Sequence, residues 1–173
     1  MLLLLFREWM KDRMSEGLVQ IYSGAGHGKS AAAYGRAIQE ACAGKNVVII
    51  SFLKGTLQGD ILKRLEPEIK FFRFEKSEED FDHLSLESQT EEIRNMKNGL
   101  NFARKVLTTG ECNLLILDEV LGLLDNDIIS IEDLKRIVDA KADDVGIIMT
   151  GIHLSDEVCE LADEISVIEP LNY

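Results

Sequence analysis

A glycine-rich segment followed by Lys29 and Ser30 is the part of the sequence whose residue types most directly suggest chemistry. Gly24, Gly26 and Gly28 alternate with other residues after a short apolar stretch. Glycine allows successive backbone N–H groups to turn toward an anion without obstruction by a Cβ atom. A helix beginning at Lys29 would add its positive N-terminal end. This order of strand, loop and helix predicts a phosphate-binding loop.

The composition of this loop predicts a nucleoside triphosphate as its ligand. Lys29 would supply positive charge to the terminal phosphates, and Ser30 would supply a hydroxyl to Mg²⁺. The strict P-loop consensus has glycine at the position of Ser23, so its first residue is missing here. A plain glycine-rich turn is the alternative, although the strand–loop–helix context favours a phosphate loop. We expect the nucleotide to be contacted by Ser23, Gly24, Ala25, Gly26, His27, Gly28, Lys29 and Ser30.

Two acidic residues, Asp118 and Glu119, follow the aliphatic run 114–117 and form the second chemical signal. A carboxylate at the end of a buried strand is costly unless it binds a metal or a strong hydrogen-bond donor. In P-loop proteins an acid at this position is associated with Mg²⁺. A solvated strand end is the alternative. With the loop upstream, the pattern predicts that Ser30, Asp118 and Glu119 organise Mg²⁺.

Lys54 is a further candidate nucleotide-binding residue. It follows the apolar run 47–52, which is typical of a buried parallel strand. Ligands bind outside the carboxyl ends of the strands in open α/β sheets, so the position suits a phosphate contact. A solvated loop lysine is the alternative.

The composition predicts a globular protein without a nucleic-acid partner. The net charge of −12 repels a polyphosphate backbone. Cys42, Cys112 and Cys159 are odd in number and widely spaced, which favours reduced core cysteines over disulfides or a metal cluster. The apolar residues 2–6 are followed at once by charges, and no segment reaches membrane-spanning length. We therefore expect a cytoplasmic protein that does not enter a membrane.

Strand-like and helix-like segments alternate from residue 17 onward, which predicts a parallel sheet covered on both faces. The expected fold is α/β, a P-loop NTPase-like three-layer sandwich with a mostly parallel six-stranded sheet. Residues 1–16 are expected to form an N-terminal helix, and residues 17–173 a single ATP-binding domain. The helix after the loop is expected to bury Tyr34, Ile38 and Cys42, and Glu75 to Asp82 is expected to be a mobile surface loop.

The run from Tyr22 to Gly35 resembles the loop of ATP:corrinoid adenosyltransferases of the CobA/BtuR type. The loop of that family reads Thr-Gly-Asn-Gly-Lys-Gly-Lys-Thr-Thr-Ala-Ala-Phe-Gly. It also lacks the first consensus glycine, and Ser23 lies at the position of its first threonine. The resemblance covers about residues 17–170. It continues in order through Phe52-Leu53-Lys54-Gly55, Leu117-Asp118-Glu119, Thr150-Gly151 and Leu161-Ala162-Asp163.

The resemblance implies a homodimeric P-loop enzyme that uses Mg-ATP and a corrinoid. The Co(I) corrinoid would attack the ribose C5′ atom, and triphosphate would leave. Amides from Gly24 to Lys29 would cradle the triphosphate, and Lys29 would neutralise its charge. Ser30 and Glu119, with Asp118 close by, would organise Mg²⁺, so Lys29 and Glu119 are the candidate catalytic residues. No protein nucleophile is required, because cobalt is the nucleophile.

Several positions depart from the family pattern. His27 replaces its middle loop lysine, Ala31 its second threonine and Ile152 the arginine of its Thr-Gly-Arg run, while Phe81 is the candidate for its corrinoid-side aromatic segment. Two other functions therefore stay open. One is a different P-loop ATPase or kinase in which Glu119 positions water or a hydroxyl. The other is a non-catalytic ATP-binding paralogue.

Overall fold

The computed structural model describes residues 17–53, 62–77 and 81–171. Six strands form one sheet in the order β3-β2-β4-β5-β1-β6, and every neighbouring pair is parallel. The predicted α/β fold is confirmed, and the described sheet is entirely parallel. The predicted N-terminal helix and Lys54 lie outside the described residues. The strands are β1 (Val19–Ser23), β2 (Val47–Ser51), β3 (Ile69–Arg73), β4 (Leu114–Asp118), β5 (Gly146–Thr150) and β6 (Glu164–Val167).

Helices connect the strands, and three begin at serine N-caps. Ser85, Ser130 and Ser155 each accept a hydrogen bond from a backbone N–H in the first turn, which satisfies a donor that has no intrahelical partner. Short 3₁₀ turns occur at Leu62–Leu65 and Phe81–His83. The helices are α1 (Lys29–Cys42), α2 (Leu86–Thr109), α3 (Leu121–Asp125), α4 (Ile131–Val138) and α5 (Asp156–Cys159). The sequence patterns predict helices over 29–43, 88–107, 131–140 and 155–162, which correspond to α1, α2, α4 and α5, whereas α3 was not predicted.

The sheet separates two apolar layers. Along β4, Leu115 and Leu117 face the layer that contains α2 and α4, while Leu114 and Ile116 face the layer that contains α1. This alternation follows from the two-residue period of a strand. Asp118 has the same parity as Leu114 and Ile116, so the strand directs its side chain toward α1. Among the described residues, no helix is long and apolar enough to cross a membrane.

The buried face of α1 differs from the predicted one. Ala33 and Ala37 are fully buried against the sheet, whereas Ile38 is 48% exposed and Cys42 is exposed. Alanine on the contact face lets the helix backbone approach the strands closely. The predicted stripe of Tyr34, Ile38 and Cys42 was therefore wrong in part, because small residues rather than large ones mark the contact. Cys42 is likewise not a core cysteine.

The segment that follows β3 is anchored, contrary to the expected mobile loop. Glu75 is buried, and the backbone N–H groups of Lys76 and Ser77 both donate to the buried carboxylate of Glu92 on α2. Residues 78–80 lie outside the described residues. The sequence did not reveal this interaction, because the partners belong to separate elements.

Close packing at the carboxyl edge of the sheet gives the first testable prediction. A Cβ atom at Gly151 would lie 2.4 Å from the Leu121 Cβ atom. We expect Gly151→Ala to lower the free energy of unfolding by about 1–3 kcal/mol through overpacking, as measured by urea denaturation. Gly35→Ala is the matched control, since no atom lies within 4 Å of the added methyl group. It should raise stability by about 0.5–1 kcal/mol, because it replaces glycine inside a helix. Equal effects of the two substitutions would contradict this account.

Candidate functional site

The glycine-rich loop lies between the ends of its two neighbouring strands. The Gly24 N–H donates to the Ile152 carbonyl at 3.3 Å, and the Gly26 N–H donates to the Ile168 carbonyl at 3.0 Å. A Cβ atom at Gly24 or Gly26 would lie 2.4 or 2.7 Å from that Ile168 oxygen. Gly24 also has a φ of +114°, which side-chain-bearing residues rarely adopt. Glycine is therefore required here for the close approach of the chain after β6.

Two N–H groups of the loop are occupied by bonds within the protein. The N–H groups of Gly24 and Gly26 donate within the protein, whereas the first intrahelical bond of α1 runs from Ala32 N–H to the Gly28 carbonyl. The first N–H groups of an α-helix precede its repeating i−4 bonding pattern and point outward along the helix axis. Together with the helix dipole they form an anion-binding end. Ala25, His27 and Gly28 are exposed beside it.

Lys29 lies across the loop rather than in solvent. Its Nζ atom donates to the carbonyls of Gly24 at 2.8 Å and Gly26 at 3.0 Å, and the residue is only 8% exposed. An ammonium group has three donors, so one remains for a phosphate oxygen. The loop thus holds a cation beside the amide groups that begin α1, which is the charge arrangement a polyphosphate requires.

Asp118 is fully buried and accepts hydrogen bonds from three hydroxyl groups. The Ser30 Oγ and Thr150 Oγ1 atoms donate to its Oδ1 atom at 2.8 and 2.7 Å, and the Tyr34 hydroxyl donates to its Oδ2 atom at 2.7 Å. Ser30 and Tyr34 are one turn apart on α1, and Thr150 ends the adjacent strand β5. These hydrogen bonds offset the cost of burying a carboxylate.

Thr150 also connects the two acidic residues. Its Oγ1 atom accepts a hydrogen bond from the Glu119 N–H at 2.8 Å while its proton goes to Asp118. Glu119 has a φ of +61°, a conformation uncommon for residues other than glycine. Its half-buried side chain follows a sharp change in chain direction at the carboxyl edge of β4.

Tyr34 and Thr150 contact Asp118, although the sequence assigned neither of them a chemical role. Burial, and then the negative charge of Asp118, raise the pKa of Tyr34 far above its ordinary value, so the phenol remains a hydrogen-bond donor. The available signals were the spacing of Ser30 and Tyr34 and the position of Thr150 at the end of a neighbouring predicted strand. The choice of partner depends on how α1 crosses the sheet, which the sequence pattern does not specify.

The donor atoms at this edge suit a magnesium ion. Ser30, Asp118 and Glu119 offer hydroxyl and carboxylate oxygens, which are the hard ligands that Mg²⁺ prefers. The hydrogen bond from Ser30 to Asp118 brings two of these residues into direct contact. The residues present therefore fit the predicted ion.

Other candidates are not part of this cluster. The Ser23 side chain is buried at the start of the loop, and its hydroxyl has no hydrogen-bond partner among the described residues. His27 is exposed. Phe81 packs against the α2-side core, and its carbonyl accepts a hydrogen bond from the Gln89 side chain.

Comparison with known proteins identifies the family. A sequence model described as ATP:corrinoid adenosyltransferase BtuR/CobO/CobP matches residues 15–172. The chain belongs to this family. Membership confirms the resemblance found in the sequence and places the chain among enzymes of the transferase class.

The individual relatives have low sequence identity to this chain, but the matches cover most of its length. The chain is 26% identical over 157 residues to the corrinoid adenosyltransferase of Escherichia coli strain K12, and 24% identical over 157 residues to that of Salmonella typhimurium strain LT2. Both matches cover 91% of this chain and 79% of the relative. Among solved structures, a KaiC-like protein from Pyrococcus horikoshii OT3 is similar, with a TM-score of 0.57 and 16% identity, covering 91% of this chain and 75% of that one. This structural likeness concerns the fold alone.

The position of Lys29 predicts the effect of its removal. We expect Lys29→Ala to weaken ATP binding about tenfold to a hundredfold, because charge-assisted hydrogen bonds contribute about 1.5–3 kcal/mol. Isothermal titration calorimetry measures this change directly. Lys45→Ala is the control, since Lys45 is an exposed residue beyond the C-terminal end of α1 that pairs with Glu40, and its removal should leave affinity unchanged. Undiminished binding by Lys29→Ala would show that the loop does not hold the phosphates.

The two hydrogen bonds of the Thr150 hydroxyl give a prediction about stability. Thr150→Val keeps the side-chain shape but removes the hydroxyl. The hydrogen bond from the Glu119 N–H and the hydrogen bond to Asp118 are then both lost. We expect a loss of about 1–3 kcal/mol in unfolding free energy, the usual cost of an unsatisfied buried polar group. Thr150→Ser retains the hydroxyl and should recover most of this loss in urea denaturation. If serine were no better than valine, the hydroxyl would not be the stabilising group.

Proposed function

We propose that this protein transfers the 5′-deoxyadenosyl group of Mg-ATP to the Co(I) centre of a corrinoid and releases triphosphate. Family membership supports the reaction class. The buried Lys29 ammonium, held over the loop beside the start of α1, supports a triphosphate as the bound group. This is the observation that carries the proposal. We further propose that the protein acts as a homodimer, as the family resemblance implies, and that it works in the cytoplasm, as its sequence composition favours.

The bond changes of the proposed reaction balance without a protein nucleophile. The electron pair of Co(I) forms a cobalt–carbon bond to the ribose C5′ atom as the bond from C5′ to the triphosphate oxygen breaks. Cobalt is formally oxidised to Co(III), and the leaving oxygen takes the electron pair of the broken bond. The protein must therefore position the two substrates and stabilise charge on the leaving group.

The residues of the loop have distinct roles in this proposal. Lys29 would donate a hydrogen bond to the triphosphate, and the N–H groups at the start of α1 would bind its other oxygens. Ser30 and Glu119 would hold Mg²⁺, with Asp118 orienting Ser30. When bound, the ion supplies positive charge to the leaving group. Lys54, three residues after β2 in the sequence, remains a proposed nucleotide contact.

Fewer residues of the family's pattern support corrinoid binding than support nucleotide binding. Phe81 packs against the α2-side core, and Ile152 replaces the arginine of the family's Thr-Gly-Arg run. Ile152 is 48% exposed at the same edge of the sheet as the loop. An apolar side chain there suits contact with a large, partly apolar acceptor better than contact with a phosphate.

The decisive experiment is anaerobic incubation of the protein with Mg-ATP and chemically reduced cob(I)alamin. We expect the corrinoid spectrum to change to that of adenosylcobalamin, with one triphosphate released per corrinoid adenosylated. Glu119→Gln should lower the rate because it removes a carboxylate charge from the metal site. ATP cleaved to phosphate with no corrinoid product would instead favour an ATPase or kinase. Bound but uncleaved Mg-ATP would favour a non-catalytic paralogue.

A further inference from the structure

The hydroxyl of Tyr34 occupies a distinct position on the Asp118 carboxylate. Ser30 and Thr150 both donate to the Oδ1 atom, whereas Tyr34 donates to the Oδ2 atom at 2.7 Å. The terminal torsion of an aspartate side chain is broad and weakly restrained by the side chain itself, so hydrogen-bond donors set the plane of the carboxylate. A donor on the second oxygen fixes the plane of the group. Tyr34 supplies that donor from the same helix as Ser30.

Packing alone accounts for the ring of Tyr34 but not for its hydroxyl. The ring contacts Phe71 edge-to-face, with centroids 6.4 Å apart and an interplanar angle of 86°. A phenylalanine could make this contact, and the family's loop pattern has phenylalanine at the position of Tyr34. The hydroxyl therefore adds a polar group to a half-buried site, where it needs a partner. Asp118 is that partner.

The orientation of Asp118 determines that of Ser30. A serine hydroxyl has one proton and two acceptor lone pairs. The Ser30 proton is donated to Asp118 Oδ1 at 2.8 Å, so its lone pairs point away from the carboxylate. If the carboxylate turned, the Ser30 proton would follow it, and the lone pairs would turn as well. Groups behind a metal ligand affect metal affinity in this way.

We propose that Tyr34 is a positioning residue of the nucleotide site that acts through Asp118. Its hydroxyl fixes the carboxylate, the carboxylate fixes the Ser30 proton, and the Ser30 oxygen is thereby presented to the divalent cation that accompanies ATP. This inference rests on the proposed Mg-ATP function. The hydrogen bond from Tyr34 to Asp118 occurs at a position where the family's loop pattern has phenylalanine, which cannot form it.

The test compares Tyr34→Phe with Tyr22→Phe. Tyr22 is a half-buried residue of β1 that packs against the same α1-side core, so its variant removes a phenolic hydroxyl from the same layer outside the site. ATP binding is measured by calorimetry with no divalent cation and at increasing Mg²⁺ concentration. We expect Tyr34→Phe to require about tenfold more Mg²⁺, the lower end of the effect of such supporting groups. Its affinity for ATP without Mg²⁺ and that of Tyr22→Phe at all concentrations should match the parent.

Two further measurements separate positioning from structural support. The electron paramagnetic resonance spectrum of Mn²⁺, used as a probe with ATP, should broaden or change in Tyr34→Phe and not in Tyr22→Phe. The double variant Tyr34→Phe/Asp118→Asn should need no more Mg²⁺ than Asp118→Asn alone, because the proposed effect of the Tyr34 hydroxyl on the cation passes through Asp118. Circular dichroism establishes that each variant is folded. If Asp118→Asn does not fold, the comparison with Tyr22→Phe and the Mn²⁺ spectrum decide the question.

The outcomes distinguish this inference from the proposed function. A parent protein that binds ATP in an Mg²⁺-dependent way, together with a Tyr34→Phe variant of unchanged Mg²⁺ requirement, would overturn the inference alone. A variant that is only less stable to urea, with unaltered Mg²⁺ dependence and Mn²⁺ spectrum, would also overturn it. A parent that binds no ATP, or binds it without any effect of Mg²⁺, would overturn both the inference and the proposed function.

Discussion

The burial of the Asp118 carboxylate is the constraint on which the proposed nucleotide site depends. A charged group removed from water must be compensated by hydrogen bonds, and here hydroxyl groups from α1 and β5 provide them. These bonds connect the helix that follows the phosphate loop to the strand that carries the acidic pair. Because the Thr150 hydroxyl also accepts a hydrogen bond from the Glu119 N–H, the second acidic residue is held by the same network. Residues far apart in the sequence are thus fixed relative to one another by one buried charge.

The phosphate loop is held by backbone contacts of a different kind. Its first two alternating glycines donate N–H groups to carbonyls that follow β5 and β6, and Lys29 donates to carbonyls of the loop itself. This arrangement requires glycine for close approach, and it requires β1 to lie between β5 and β6. The loop therefore depends on the strand order as much as on its own composition.

The residues of the proposed nucleotide site are the ones that agree best with the family's pattern. Lys29, Ser30 and the acidic pair retain the family's residue types or close equivalents, whereas His27, Ala31 and Ile152 depart from its pattern. Ala31 removes a hydroxyl from the start of α1, while Tyr34, one turn later, introduces another that contacts Asp118. Relative to the family's pattern, the first turns of α1 therefore lose one hydroxyl at Ala31 and gain one at Tyr34. The departures alter the surroundings of the site more than its central charges.

The sequence by itself determined the class of fold and located the glycine-rich loop and the acidic pair, because each depends on local order or on a short period. Alternating apolar runs identified the strands, and the spacing of glycines before Lys29 identified the loop. Tertiary structure alone decided that Ala33 and Ala37, rather than Ile38 and Cys42, face the sheet. It also decided that Tyr34 and Thr150 meet at Asp118, and that Glu92 holds the segment after β3. These contacts join elements that are distant in the chain, so they depend on how closely and at what angle each helix packs on the sheet, and no local pattern encodes that geometry.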